Sequence, residues 1–194
     1  MAAPRSLHIT GDEEADGLLD RDAFALLAGM LLDQQVPMES AFAGPLKIAE
    51  RLGVDRLDPA AIAGHDPQVF ADLCARPPAV HRFPGSMAGR LQALARTVVE
   101  LYGGDAANLW ADAGTGAELL ARLEDLPGFG PNKARIFLAL LGKQCGVRPE
   151  GWREAAGPYG EDGSRRSVAD VTDGESLAAV RAFKKEAKRA AKAR

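Results

Sequence analysis

The chain has 194 residues, of which 46% are hydrophobic, and a formal net charge of −3. This length and apolar content suit one large domain or two small lobes around a buried core. The acidic balance excludes a basic coat over the whole surface, so any contact with nucleic acid must come from local patches.

Cysteine and histidine usage argues against a metal protein. Cys74 and Cys145 are too few and too far apart for a disulfide framework or a zinc site. His8, His65 and His81 lack the spacing of metal ligands and suit surface or capping positions. The longest apolar stretches are shorter than the roughly 20 residues of a membrane span. We therefore expect a cytoplasmic protein of a reducing compartment, with no metal.

Apolar residues recur at helical spacing along most of the chain, and β-branched runs are nearly absent, so the sequence predicts an all-α protein. Residues 1–20 are interpreted as an N-terminal arm, in which the stretch LHIT is either a strand or an ordered extended segment. A helix is predicted from Asp22 to about Gln35. A second helix follows, with Pro37 in its first turn and Gly53 at its end.

Capping residues mark the helices in the middle of the chain. A short helix is predicted from Asp66 to about Ala75. A loop with three prolines separates it from a long helix that begins at Met87 and is closed by Gly103.

Thr115 and Glu118 have the spacing of a capping box, so another helix begins there and ends at the sequence LPGFG. The next helix is predicted from about Pro131 to Lys143. Residues 161–194 form a loop followed by a basic C-terminal helix or tail, which is either a frayed, solvated segment or a non-specific phosphate-binding tail.

The stretch LPGFGPNKA joins two of these helices by a tight hairpin. Gly128 and Gly130 can take positive φ and expose backbone amides at the start of the second helix. Unpaired N–H groups and the positive end of the helix dipole favour an anion there, and a nucleic-acid phosphate is a suitable one. Phe129 is expected to pack inward and hold the hairpin.

The stretch LEDLPGFGPNKARIFLALLG resembles the helix-hairpin-helix of the HhH-GPD superfamily of DNA glycosylases. The stretches LLDQQVPMESAFAGPLKIAERLG and MAGRLQALARTVVELYGG are similar to the superfamily's early helix pair and to the helix before its hairpin. The resemblance implies a two-lobed helical domain over residues 21–160, with the helix-hairpin-helix at about 117–143. Its partner would be double-stranded DNA with a damaged or mismatched base, which is flipped out and excised.

The resemblance also implies positions for catalytic residues. The nucleophilic lysine of bifunctional members falls on Asn132, so lyase chemistry is not expected, although Asn132 can hydrogen-bond a base or sugar. Lys133 is one helical step further, about 100° away, which favours a phosphate contact or a surface lysine over a displaced nucleophile. Glu150 lies eighteen residues after Asn132 and is the candidate for the superfamily's catalytic aspartate. The alternative for Glu150 is a plain glutamate at a helix N-terminus.

Gln34 and Gln35 match the place where superfamily members fill the gap left by the flipped nucleotide. Their alternative is a polar pair at a helix end, and Asp33 beside them is interpreted as a helix-end polar residue. Trp152 and Tyr159 either stack on a flipped base or pack in the core. No cysteine set for an iron–sulfur cluster is present in the sequence, and a loosely bound monovalent cation at the hairpin is the one cofactor considered.

The sequence thus predicts a monomeric, monofunctional DNA glycosylase that hydrolyses the N-glycosidic bond of a modified base. Two alternatives remain open. One is a protein that binds lesions in DNA without catalysis. The other is a helical bundle whose hairpin contacts another protein.

Overall fold

The computed structural model describes residues 6–194, and this part of the chain forms helices and turns without a strand. The predicted all-α fold is confirmed. The α-helices are α1 Glu13–Arg21, α2 Ala23–Leu32, α3 Met38–Leu52, α4 Pro59–Gly64, α5 Pro67–Ala75, α6 Pro84–Tyr102, α7 Asn108–Ala111, α8 Gly116–Glu124, α9 Pro131–Gln144, α10 Trp152–Ala156 and α11 Gly174–Lys192. Two short 3₁₀ helices span Gly157–Gly160 and Val168–Asp170.

The helices form two groups around one continuous apolar core. In one group α2 packs on α3, and α4 and α5 pack along α6. In the other, α8, α9 and α10 pack together with the two 3₁₀ helices. Helix α2 is buried along nearly its whole length, as its uniformly apolar sequence requires. None of the helices within residues 6–194 is both long enough and apolar enough to cross a membrane.

Helix starts lie close to the predicted caps. The Asp66 carboxylate accepts hydrogen bonds from the first amides of α5, and the Thr115 hydroxyl accepts one from Glu118 at the start of α8. The carboxylate of Glu118 accepts from the amide of Gly114 instead of completing a capping box on Thr115. Each cap satisfies amides that a helix start leaves unpaired.

Three boundaries differ from the sequence prediction. Helix α2 ends at Leu32, because the backbone turns out of the helix and Gln35 adopts a φ of 57°. Helix α6 begins at Pro84, ahead of the predicted Met87, with the proline in the first turn where its missing N–H costs nothing. Helix α3 begins at Met38, so Pro37 is its N-cap rather than a residue of its first turn.

The described part of the N-terminal arm is ordered and contains α1, which the sequence interpretation missed. The LHIT stretch is an irregular segment rather than a strand, with Leu7 and Ile9 buried. The Asp16 carboxylate accepts hydrogen bonds from the amides of Ile9 and Thr10, and Asp12 caps α1. The signal for α1 was the Asp12 cap followed by acidic residues in the first turn.

The basic C-terminal segment is helical. Helix α11 begins at the cap Asp173 and buries Val180, whereas residues 181–194 are exposed. Arg181 pairs with Glu39 of α3, and Lys184 lies 3.9 Å from a carboxylate oxygen of Asp33. These contacts join α11 to the end of α2 and the start of α3.

Candidate functional site

The hairpin between α8 and α9 uses its two glycines differently. Gly128 has a φ of 82°, and a Cβ there would lie 2.7 Å from the Leu31 side chain, so the position needs glycine for both torsion and space. Gly130 has an extended backbone, with φ −80° and ψ 174°, which corrects the expectation that it takes positive φ. A Cβ at Gly130 would meet no atom within 4 Å, so this glycine leaves the surface outside the hairpin open.

The start of α9 is an exposed helix N-terminus. Phe129 packs inward, edge-on to Phe137 with ring centroids 6.0 Å apart. No side chain caps the helix at Gly130, and both Gly130 and Asn132 are exposed. The first amides of α9 and the positive end of its dipole therefore face outward, which suits an anion.

A cavity of about 570 Å³ opens beside this helix start. Its walls are the end of α2, the first turns of α9, the 3₁₀ helix Gly157–Gly160 and the middle of α11. The polar lining residues are Asp33, Asn132, Lys133, Tyr159, Arg166 and Lys184, and the apolar ones include Met30, Ile136 and Phe183.

Asp33 and Lys133 are two charged residues of this cavity whose pKa values are shifted by burial. The Lys133 ammonium donates a hydrogen bond of 3.0 Å to the Leu31 carbonyl. Burial lowers the pKa of Lys133 to about 8, against the attraction of Asp33 and together with the repulsion of Arg90. Burial also raises the pKa of Asp33, against the attraction of Lys184 and Lys133. Shifted pKa values of partly buried charged groups cluster at functional sites.

Lys133 was expected to turn away from a pocket faced by Asn132, but both residues line the cavity. The cavity wraps around the first turn of α9, so a rotation of about 100° between neighbours does not remove either one. The Tyr159 hydroxyl donates a hydrogen bond of 2.7 Å to the Asn132 side-chain oxygen, which places this ring at the cavity. Trp152 is a core residue, since its ring occupies the space where a Cβ on Gly142 would lie, 2.3 Å away.

Glu150 lies elsewhere. It is exposed, it does not line the cavity, and its backbone carbonyl accepts a hydrogen bond of 2.7 Å from Gly116 at the start of α8. Asp33, which the sequence interpretation set aside, is the carboxylate that reaches the cavity. The sequence carried a signal for it. Asp33 follows the C-terminal end of an apolar helix, where a negative charge is unfavourable to the helix dipole, so a functional role was a reasonable hypothesis.

Gln34 is held on all sides by hydrogen bonds. Its side-chain nitrogen Nε2 donates to the Leu31 carbonyl at 2.9 Å, and its side-chain oxygen Oε1 accepts from the Arg90 guanidinium at 3.0 Å. His81 is buried and accepts the Phe83 amide at Nδ1, so its Nε2 carries the proton and donates to the Gln34 carbonyl at 2.9 Å. Gln34 is therefore a structural part of the turn.

Gln35 is exposed and has the one positive φ among the described residues other than glycine. Such a torsion costs about 1 kcal/mol and persists when the surroundings impose it. Hydrogen bonds fix the preceding Gln34, and the turn presents the Gln35 side chain to solvent.

A second cavity, of about 640 Å³, lies between the N-terminal segment and the start of α11. Its acidic lining residues Asp16 and Asp20 accept hydrogen bonds from the backbone of Ile9 and Leu7, so they hold the N-terminal segment in place. Residues 6–194 contain no group of three or more His, Cys, Asp or Glu side chains placed to hold a metal ion. The absence of a metal or another cofactor stays a prediction.

The family model described as the HhH-GPD superfamily of base excision DNA repair proteins matches residues 28–193. The chain belongs to this superfamily. The match begins within α2 and ends just after α11, so it includes residues 161–193 of the segment that the sequence interpretation had separated from the repair domain. A comparison with curated proteins gave no match.

In this HhH-GPD protein, three features lie next to Leu31: the hairpin, the turn that contains Gln34 and Gln35, and the cavity. The Leu31 carbonyl accepts hydrogen bonds from both Gln34 and Lys133, and its side chain fills the space beside Gly128. One residue at the end of α2 therefore fixes three features relative to each other. They form a continuous surface that suits a repair protein, which must hold a strand beside a pocket for one nucleotide.

Proposed function

We propose that this HhH-GPD protein is a monofunctional DNA glycosylase, which hydrolyses the N-glycosidic bond of a modified base in double-stranded DNA. The observation that carries the proposal is the cavity that holds Asp33 and Lys133 beside the uncapped start of α9. Its volume of about 570 Å³ falls in the ordinary range for small-molecule sites, so a nucleobase with part of its sugar fits.

Binding uses the surface around Leu31. A phosphate of the lesion strand contacts the amides at the start of α9, where Gly130 leaves room for close approach. The nucleotide rotates out of the stack into the cavity, and Gln35 enters the gap, where a planar amide can pair with the orphaned base. Tyr159 and Phe183 in the cavity wall supply aromatic surface for the flipped base.

Asp33 supplies the carboxylate for the reaction. As the bond between C1′ and the base breaks, positive charge develops on the sugar, and a carboxylate in a partly desolvated cavity stabilises it. Water then bonds to C1′ and loses a proton to Asp33, while the departing base takes up a proton from the Lys133 ammonium. We assign to Asp33 the role that the resemblance suggested for Glu150, since Glu150 is exposed and outside the cavity.

Lys133 acts as a hydrogen-bond donor to the departing base. With a pKa of about 8 the Lys133 side chain is mostly protonated at neutral pH, and we assign this ammonium form as the donor. Asn132, at the superfamily's lysine position, has no amine with which to form a Schiff base. Hydrolysis without strand cleavage follows from these two assignments.

The test is release of free base under single-turnover conditions from duplexes that carry one alkylated, oxidised or deaminated base. We expect at least one lesion to yield free base, and Asp33→Asn to lose that activity. If no lesion yields free base, but lesion duplexes bind more tightly than undamaged ones, the protein recognises lesions without catalysis.

Two variants complete this experiment. Gly130→Val places a branched side chain where the phosphate would approach, so we expect weaker DNA binding at unchanged thermal stability. Borohydride is added to each reaction to trap any Schiff base. A trapped product that disappears in Lys133→Met would show that Lys133 is a nucleophile and overturn the monofunctional assignment.

A further inference from the structure

The charge of this protein is distributed unevenly. Residues 181–194 contain seven basic side chains and only Glu186 as an acidic one, whereas the whole chain has a net charge of −3. The rest of the chain is therefore net acidic and repels a polyanion as a whole. A DNA-binding protein of this composition needs its positive charge concentrated where the DNA lies.

The basic residues of α11 lie on one side of the helix. At about 100° per residue, six of them fall within an arc of about 140°. We call this arc the cationic face, and it consists of Arg181, Lys184, Lys185, Lys188, Arg189 and Lys192. Glu186 falls outside the arc. All residues from 181 onward are exposed, so this face is open to solvent.

One end of the cationic face reaches the cavity. Arg181 pairs with Glu39, and Lys184 faces Asp33 in the cavity wall next to Phe183. The same cavity is lined by Gly130 at the start of α9. The cationic face is therefore continuous with the surface where the hairpin would hold a phosphate.

The other end of the cationic face has no protein partner. In the part of the chain that the structure describes, Lys185, Lys188, Arg189 and Lys192 form no ion pair. They span eight residues, and the first and last lie about 10 Å apart along the helix axis. One strand of DNA presents a phosphate for about each 3.4 Å of its axis, so this length corresponds to about three phosphates.

We propose that the cationic face of α11 is a second phosphate-binding surface, which holds the backbone of duplex DNA at the mouth of the cavity. The hairpin and α11 then contact the backbone from two sides of the flipped nucleotide. This inference rests on the proposed function, because the cavity between the two surfaces is the proposed site of excision.

A membrane surface is the other polyanion that a basic helix can bind, and α11 is poorly suited to it. Helices that lie in a membrane interface bury a broad apolar face. In α11 the exposed part beyond Val180 offers Phe183 as its one large apolar side chain, and Phe183 already lines the cavity. The observations therefore favour DNA.

The experiment measures the dissociation constant of the full chain for a lesion-free duplex and for one with a stable abasic analogue, over a series of KCl concentrations. The variant Lys185→Gln/Lys188→Gln/Arg189→Gln removes three charges from the cationic face. Each lost phosphate contact lowers the slope of log K against log salt by about 0.9. We expect the slope to fall by about 2 to 3 and the affinity near 150 mM salt to fall at least about tenfold.

Two controls match this variant. The change Lys185→Arg/Lys188→Arg/Arg189→Lys keeps the charges and should keep both slope and affinity. Neutralising three exposed arginines outside α11, namely Arg56, Arg76 and Arg96, removes the same charge elsewhere and should leave most of the slope intact. Circular dichroism and thermal unfolding check that each variant is folded.

A three-charge variant that binds DNA with the slope of the unchanged protein would overturn the inference. An equal loss in the arginine control would also overturn it. Sedimentation with anionic vesicles is measured in parallel. A three-charge variant that loses vesicle binding but keeps DNA binding would assign α11 to a membrane surface instead. Base release separates this result from the proposed function. Base release with no effect of α11 on DNA binding refutes only the inference, and α11-dependent binding without base release refutes only the proposed function.

Discussion

Asp33 and Glu150 are both carboxylates beside the end of a helix, and their surroundings differ. Asp33 follows α2, lies in the cavity wall, and has Lys133 and Lys184 as its charged neighbours. Glu150 precedes α10, is exposed, and is held through its backbone by Gly116. Burial raises the pKa of Asp33 above the usual aspartate value.

The difference teaches that counting from a motif locates a position along the chain but not a position in a cavity. The spacing from Asn132 selects Glu150, whereas the cavity brings together residues from α2, α9 and α11. Desolvation and neighbouring charge decide what a carboxylate can do, and both depend on the tertiary arrangement. Three of the four predictions below test this comparison, and the fourth compares the neighbouring residues Gln34 and Gln35.

The largest expected effect is the loss of base release in Asp33→Asn. Removing one electrostatic stabiliser of a transition state slows the chemical step by about 10²–10³-fold. Glu150→Gln, the matched control, should change the rate by less than about twofold, because an exposed group outside the cavity is far from the reacting bond. Single-turnover base release measures both, and the reverse order would return the role to Glu150.

The pH dependence of base release is the next largest effect. The rate should rise as Asp33 ionises, at a pH above the usual aspartate range because burial raises its pKa. It should fall as pH passes about 8, where Lys133 loses its proton. A rate that keeps rising through pH 8 contradicts the donor role of Lys133.

Lys133→Met is the control for this pH profile. It should slow base release by about 10²-fold, as the loss of a general acid does, and remove the decline above pH 8. If the decline persists in Lys133→Met, another group causes it.

The third prediction compares Gly128→Ala with Gly151→Ala, since these glycines lie near Asp33 and Glu150, respectively. Both glycines have positive φ, but a Cβ at Gly128 also meets Leu31 just before Asp33, whereas a Cβ at Gly151 meets open space. We expect losses of stability of about 2–3 kcal/mol and about 1 kcal/mol, respectively. Each kcal/mol lowers the Tm by about 2–4 °C in a chain of this size.

Only Gly128→Ala should also slow base release at a temperature where both variants are folded. Equal activity in the two variants would show that the Leu31 contact does not position Asp33.

Gln35→Gly should have the smallest effect on stability. Glycine relieves the positive φ of Gln35 but gains more conformational freedom in the unfolded chain, so the net change is within about 0.5 kcal/mol. Affinity for a lesion duplex should nevertheless fall about tenfold, because the side chain that enters the gap is missing.

Gln34→Ala is the matched variant, since it removes two side-chain hydrogen bonds and should cost about 1 kcal/mol of stability. An unchanged lesion affinity in Gln35→Gly would exclude the gap-filling role.

Local signals in the sequence predicted much of the fold. Asp66 and Thr115 cap helices as their spacing indicates, and the hairpin falls where two glycines interrupt the helical pattern. These predictions succeed because caps and turns depend on neighbours a few residues apart. The acidic first turn of α1 carried a similar signal and was not recognised.

The cavity could not be predicted in the same way. Asp33, Lys133 and Lys184 lie far apart in sequence, and no periodic pattern links them. Lys184 belongs to a segment whose composition alone suits a solvated tail, and its contact with Asp33 exists because Val180 is buried and Arg181 pairs with Glu39.

By itself, then, the amino-acid sequence determined the helical class, the hairpin and the resemblance to the HhH-GPD superfamily, because these depend on spacing within short segments. Only the tertiary structure decided which carboxylate lies in the cavity, which glutamine is presented and what α11 contacts. Those outcomes depend on burial and on charges at short range in space, and folding sets both by packing distant segments against the end of α2.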